Sequence, residues 1–283
     1  MKVQFKRIGL AVAFSPTSQA LLTEACRWTS LHRAELVLVH VGPRTAAAEE
    51  QMRQLVGMVS ITPTILWREG NPVKEILTFC KSENIDLLVA GALKKENLLQ
   101  NYIGTVARKI MRKADCSILM IQNPSVESKL VQNIVVNAED SPFVEQAIEV
   151  ACAIGEWRKT QWIHITRELK LLGLALAANE QCTEDEYHES MQGMVREEVD
   201  EVEKMLGHIP HQHVKINIKM LSGKSGFELA LFAERKKADL LVVGAPERRF
   251  SLLDRIFPHD LEYIFANMPC DLLVVNPKKK KHG

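Results

Sequence analysis

The sequence predicts an α/β chain of two tandem, doubly wound domains, each a mostly parallel five-stranded sheet with helices on both faces. Three observations lead there. The 283 residues are enough for two domains of ordinary size. The second half repeats the first, in order along the chain. Within each half, short apolar runs alternate with segments of helical periodicity, the pattern of βα units joined by right-handed crossovers.

The repeat is read directly. Ile85-Asp86-Leu87-Leu88-Val89-Ala90-Gly91 returns as Ala238-Asp239-Leu240-Leu241-Val242-Val243-Gly244. Gly70 and Gly223 keep the same offset, as do Glu75 and Glu228. Cys116-Ser117-Ile118-Leu119-Met120-Ile121 returns as Cys270-Asp271-Leu272-Leu273-Val274-Val275. Near the two starts, Ser15-Pro16 matches Ser141-Pro142, and Cys26 matches Cys152.

The elements run in order. In the first half, strands are predicted over 7–13, 34–41, 62–68, 86–91 and 117–121, and helices over 15–31, 46–59, 73–82 and 104–114. Ser15 reads as the N-cap of the first helix, with Pro16 in its first turn. The run 86–91 is almost continuously apolar, as a strand covered on both faces requires. In the second half, strands are predicted over 133–137, 161–166, 214–221, 239–244 and 271–275, and helices over 142–154, 184–206, 226–236 and 259–266. The resulting domain boundaries are 1–123 and 130–277, with an insertion near 169–183, a basic tail at 278–283, and a linker at 123–129 carrying Pro124 and Ser125.

Composition narrows the class. The chain is 46% hydrophobic and 25% charged, a globular balance, and its formal net charge of +1 gives no general attraction to nucleic acid or anionic membrane. The tail Lys278-Lys279-Lys280-Lys281 is the local exception and reads as solvated charge. Residues 1–14 lead straight into a strand-like run with no cleavable signal pattern. The longest apolar stretch, 169–178, is interrupted by Lys170 and falls short of the roughly 18 residues a membrane span needs. The six cysteines form no C-x-x-C pair. A reducing, cytoplasmic setting without structural disulfides is expected.

Taken together, these segments resemble the universal stress protein family in its tandem two-domain form. The resemblance is carried by Ser15-Pro16 after the first strand; Leu36-Val37-Leu38-Val39-His40-Val41; Glu69-Gly70-Asn71-Pro72; Asp86-Leu87-Leu88-Val89-Ala90-Gly91; Gly104-Thr105-Val106-Ala107; and Ala114-Asp115-Cys116-Ser117-Ile118-Leu119. It implies an adenine nucleotide alpha hydrolase-like fold and a stress-response binding or signalling role. It also implies an intrachain pseudo-dimer joined through the last strands of the two halves, with a further homodimer left open.

Nucleotide-binding members of that family carry a loop written G-x2-G-x9-G-[ST] after the fourth strand and an acid at the end of the first. Glycines let backbone N–H groups approach phosphate closely, the adjoining helix N-terminus adds partial positive charge, and a strand-end carboxylate accepts from ribose hydroxyls. The first half keeps Gly91, Gly104 and Thr105; Lys94 replaces the middle glycine, and Ala13 or Phe14 occupies the acidic position. With Val41 at the end of the second strand and Lys94 and Lys95 as phosphate contacts, this half is the candidate for ATP or another adenine nucleotide, with Mg as the nucleotide's own companion. The second half has acids at Glu139 and Asp140 and keeps Gly244, but Glu247 and Phe257-Pro258 break its loop, so no ATP is expected there. Arg248, Arg249 and Arg255 read as solvated loop charges.

Other constellations point to simpler roles. Gly223-Lys224-Ser225 lacks the upstream glycine of a phosphate loop, since Ile218 stands there, and reads as a strand-to-helix turn. His208, His211 and His213, with His188 upstream, have no partner completing a metal site at standard spacing, and none is predicted. No G-x-S-x-G elbow occurs. The reading is a binding protein with no assigned catalytic residue and an unidentified protein partner; a weak nucleotide hydrolase and a ligand-free scaffold are the alternatives.

Overall fold

The computed structural model describes residues 4–94, 101–139, 141–169, 184–222, 225–246 and 259–276. The insertion 170–183, Lys95, Asp140, Gly223, Lys224, the segment 247–258 and the tail lie outside the described residues.

The first half runs β1 (Arg7–Val12), α1 (Ser18–His32), β2 (Glu35–Val41), α2 (Ala46–Val56), β3 (Thr64–Arg68), α3 (Pro72–Ser82), β4 (Leu87–Gly91), a short β5 (Leu93–Lys94) and β6 (Asn101–Tyr102), α4 (Thr105–Lys113) and β7 (Ser117–Ile121). The second half runs β8 (Asn133–Asn137), α5 (Val144–Arg158), β9 (Trp162–Glu168), α6 (Glu184–Leu206), β10 (Lys215–Leu221), α7 (Ser225–Arg235), β11 (Leu240–Gly244), α8 (His259–Ala266) and β12 (Asp271–Val275). The predicted strands and helices of both halves are all present. The loop predicted after β4 instead begins and ends in a small antiparallel ladder, Leu93 opposite Tyr102 and Lys94 opposite Asn101.

Ten strands form one sheet in the order β10-β9-β8-β11-β12-β7-β4-β1-β2-β3. Each half is parallel throughout, with its first and fourth strands adjacent at the point where strand order reverses. The halves meet at β7 and β12, which pair antiparallel with Leu119 opposite Leu273. Strand alternation sends Leu10, Leu87, Val89 and Leu119 to one face, packed with α1, α2, α5 and α6. It sends Leu88, Ile118 and Met120 to the other, packed with α3, α4, α7 and α8.

The repeated Asp-Leu-Leu-Val motif has a structural cause. Asp86 Oδ2 accepts from the backbone N–H groups of Lys6 at 2.8 Å and Arg7 at 3.0 Å, fastening the amino end of β1. Asp239 Oδ2 does the same for Gln132 at 2.7 Å and Asn133 at 3.0 Å, at β8. Helix ends repeat too. Arg33 and Lys159 cap the carboxyl ends of α1 and α5 at φ 51° and 55°, and Asn84 and Lys237 come just after α3 and α7 at φ 52° and 48°.

One local expectation is corrected. Thr17, not Ser15, is the N-cap residue of α1. Phe14 at φ 49° turns the chain sharply after β1, and Ser15 through Ser18 form a turn closed by Ser18 N–H donating to Ser15 O at 3.0 Å. The helix therefore starts a turn later.

The seam between the halves is polar at its rims. Gln122 N–H donates to Asp271 Oδ1 at 2.7 Å, and at the related position Asn276 N–H donates to Ser117 Oγ at 3.0 Å. Burial pushes the Asp271 carboxyl up to about 6. Arg158 of α5 pairs with Glu24 of α1 at 3.1 Å. Beside it His32 is buried, with Phe5 and Trp28 around it and Trp157 of the second half edge-on at 4.7 Å. Burial lowers the His32 imidazole to about 4. Among the described residues, no helix is long and apolar enough to cross a membrane.

Candidate functional site

The carboxyl ends of β1 and β4 are where an open sheet of this order leaves a crevice. A cavity of about 810 Å³ lies there. Its rim takes in Ala13, the Ser15–Ser18 turn, Gly91, and Gly104 with the first turn of α4. Its depth reaches Leu10 and Val12 of β1, Leu88 of β4, Ile118 and Met120 of β7, Leu21 of α1 and Ile110 of α4. The α4 N-cap is Gly104, with no side chain capping the first backbone N–H groups. Gly104, Thr105, Val106 and Ala107 of this first turn line the cavity.

Of the residues that the sequence marks in the first half, Ala13, Gly91, Gly104 and Thr105 are brought together here. Lys94 lies in β5, three residues beyond Gly91. Val41 ends β2 opposite Arg68 of β3 and does not line the cavity. Sequence reasoning missed Gln122 and Asn123, which come directly after β7 and complete the rim. The rule that ligands meet strand ends would have found them, since β7 is the neighbour of β4.

The rim is also held from the other half. Ile103 N–H, one residue before Gly104, donates to Phe265 O of α8 at 2.8 Å. Arg108 of α4 pairs with Glu262 of α8 at 3.2 Å. Gln122 is fixed twice, by Asp271 and through its side-chain amide to Met268 O at 2.6 Å.

At the equivalent place in the second half, the described residues of the first turn close on the end of β11. Ser141 Oγ donates to Ala245 O at 2.7 Å and accepts from Phe143 N–H at 3.1 Å. A Cβ on Gly244 would stand 2.4 Å from Ser141 Oγ. The Glu139 carboxylate accepts from Glu168 N–H at the end of β9, an internal use of the strand-end acid. His188 lies on α6, His211 Nδ1 sits 2.7 Å from its own turn's Ile209 O, and His213 N–H donates to Glu156. No group of three or more potential metal ligands occurs among the described residues.

The model of the universal stress protein family matches residues 44–122 and 131–276. The chain belongs to the universal stress protein family. A universal stress protein of Methanocaldococcus jannaschii is 34% identical over 59 residues, covering 21% of this chain and 35% of that protein. The match thus spans about a third of the relative's length. Among solved structures, a functionally unknown protein of Pseudomonas aeruginosa PAO1 superimposes with a TM-score of 0.69 at 14% identity, over 97% of this chain and 93% of the other. A universal stress protein from Archaeoglobus fulgidus superimposes with a TM-score of 0.66 at 15% identity, over 96% and 99%. At such identities the likeness is one of fold, and it extends through both halves.

Proposed function

We propose that this universal stress protein is a non-enzymatic binding protein that holds a small phosphate-bearing ligand in its first half, while its second half has become structural. The observation that carries the reading is the cavity at the β1/β4 switch point, bordered by Gly91, Gly104, Thr105 and an uncapped helix N-terminus, set against Ser141 seated on Gly244 in the other copy. Adenine nucleotides, with or without Mg, are the class the family loop implies and the first to assay. Occupancy would change the surface offered to a protein partner.

Calorimetric titration of the purified full chain with ATP, ADP, AMP and inorganic phosphate tests this. Binding by at least one is expected, weakened about tenfold or more in Gly104→Val, whose side chain blocks close backbone approach. Absence of binding by every phosphate compound would overturn the reading and favour a ligand-free scaffold. Saturable phosphate release abolished by Gly104→Val would favour the hydrolase.

A further inference from the structure

We infer that the first-half cavity accepts a ligand with one phosphate head and an apolar body, in place of the ribose and base of a nucleotide. The inference rests on the phosphate-site reading above and specifies what the rest of the ligand is.

Three observations carry it. First, no charged side chain lines the cavity among the described residues, and its depth is built from Leu10, Val12, Leu21, Leu88, Ile110 and Met120. Such a wall rewards hydrocarbon, and the polar side chains of the lining, Ser15, Thr17, Ser18, Thr105, Gln122 and Asn123, are confined to the rim. Second, the end of β1 carries Ala13 and Phe14, so no carboxylate stands where a ribose would seek an acceptor.

Third, the other direction in which a ligand could extend, across the ends of β1, β2 and β3, is taken by the chain's own rings. Val12, His40 and Trp67 are neighbours in register on these strands. His40 Nδ1 lies 2.9 Å from Val12 O, Phe14 packs on its ring at 4.5 Å, and Trp67 meets it edge-on at 5.1 Å. Gly42 lies so close beneath that a Cβ there would stand 2.7 Å from His40 Nε2. None of these three rings lines the cavity. The cavity instead lies over the ends of β1, β4 and β7, where it meets apolar side chains of both layers, Leu10 and Val12 on one side and Leu88, Ile118 and Met120 on the other. A headgroup at α4 therefore directs its body into hydrocarbon surroundings.

The test is calorimetry on the full chain with butyl, hexyl and octyl phosphate, inorganic phosphate, and ATP, each below its aggregation concentration. Affinity is expected to climb roughly two- to fourfold per added methylene and to pass that of ATP by about tenfold or more at octyl phosphate. Ala107→Leu adds volume on the cavity side of α4 at a position that tolerates leucine in a helix. It is expected to weaken octyl phosphate about fivefold or more, and by a clearly larger factor than inorganic phosphate. ATP binding more tightly than octyl phosphate, or affinity independent of chain length, would overturn the inference and leave the phosphate site standing. Failure of every compound would overturn both.

Discussion

The two halves agree at the amino ends of their strands and part company at the carboxyl ends. Asp86 and Asp239 fasten β1 and β8 with the same pair of hydrogen bonds, and the same two helix ends in each half use left-handed residues. At the opposite edge, one copy opens a cavity and the other seats Ser141 on Gly244. The amino-end contacts tie β1 to the start of β4 and β8 to the start of β11, the central strand pair of each half. The carboxyl-end turns connect elements that are already placed, and they can diverge without harm to the fold.

The comparison is broken most forcibly at the shared contacts. Asp86→Ala and Asp239→Ala each remove two charge-assisted hydrogen bonds from backbone N–H groups, and each is expected to cost about 2–4 kcal/mol in denaturant unfolding, by similar amounts in the two halves. A loss in only one would show that the copies no longer share their folding constraints. Next comes the seam. Because Asp271 is raised to about 6 in the fold from an ordinary value near 3.8, the folded state holds its proton more tightly. That contribution is fully present below pH ~3.8 and lost as pH rises through ~6. Asp271→Asn, like Ser117 at the related position a neutral acceptor, is therefore expected to gain about 1–3 kcal/mol over the parent above pH ~6, with the gain vanishing toward pH ~4. His32 acts in the opposite sense. Lowered to about 4, it supports the fold above pH ~6.5 and withdraws that support as pH falls through ~4, so removing Asp271 should leave a steeper acid-side loss. A pH-independent difference between parent and variant would refute this assignment.

The smallest effects separate the two glycines. Gly244→Ala drives a methyl into Ser141 Oγ and is expected to cost about 1–3 kcal/mol. Gly91→Ala meets only the movable Leu21 side chain at 3.0 Å and should cost under about 1 kcal/mol while narrowing the cavity. Equal costs would mean that the two crevices are alike after all. Thermal unfolding of both variants decides it.

Much of the fold was legible because apolar runs and the duplicated motifs reinforce each other; the strands of β4 and β11 needed no more than their continuous hydrophobicity. The glycines at the cavity rim were legible as well. What the two edges do with the same Ser-Pro dipeptide was not. Ser15 lies 3.1 Å from Thr17 Oγ1 and 3.3 Å from Ser18 Oγ, whereas Ser141 reaches a strand-end carbonyl. The residues just past each dipeptide make the difference. Phe143 packs into the apolar layer beneath and draws its turn down onto Gly244, while Thr17 and Ser18 have no such anchor. The ring row of Phe14, His40 and Trp67 was hidden for another reason, since three strands must be aligned before those side chains become neighbours.

Antiparallel pairing of β7 with β12 points the ligand edges of the two halves in opposite directions, so they cannot share a mouth. Yet Phe265, Met268 and Asp271 of the second half grip Ile103 and Gln122 at the first half's rim. The second half thus serves as an abutment for the first half's cavity: whatever shifts α8 or the start of β12 arrives at the cavity mouth within a single hydrogen bond.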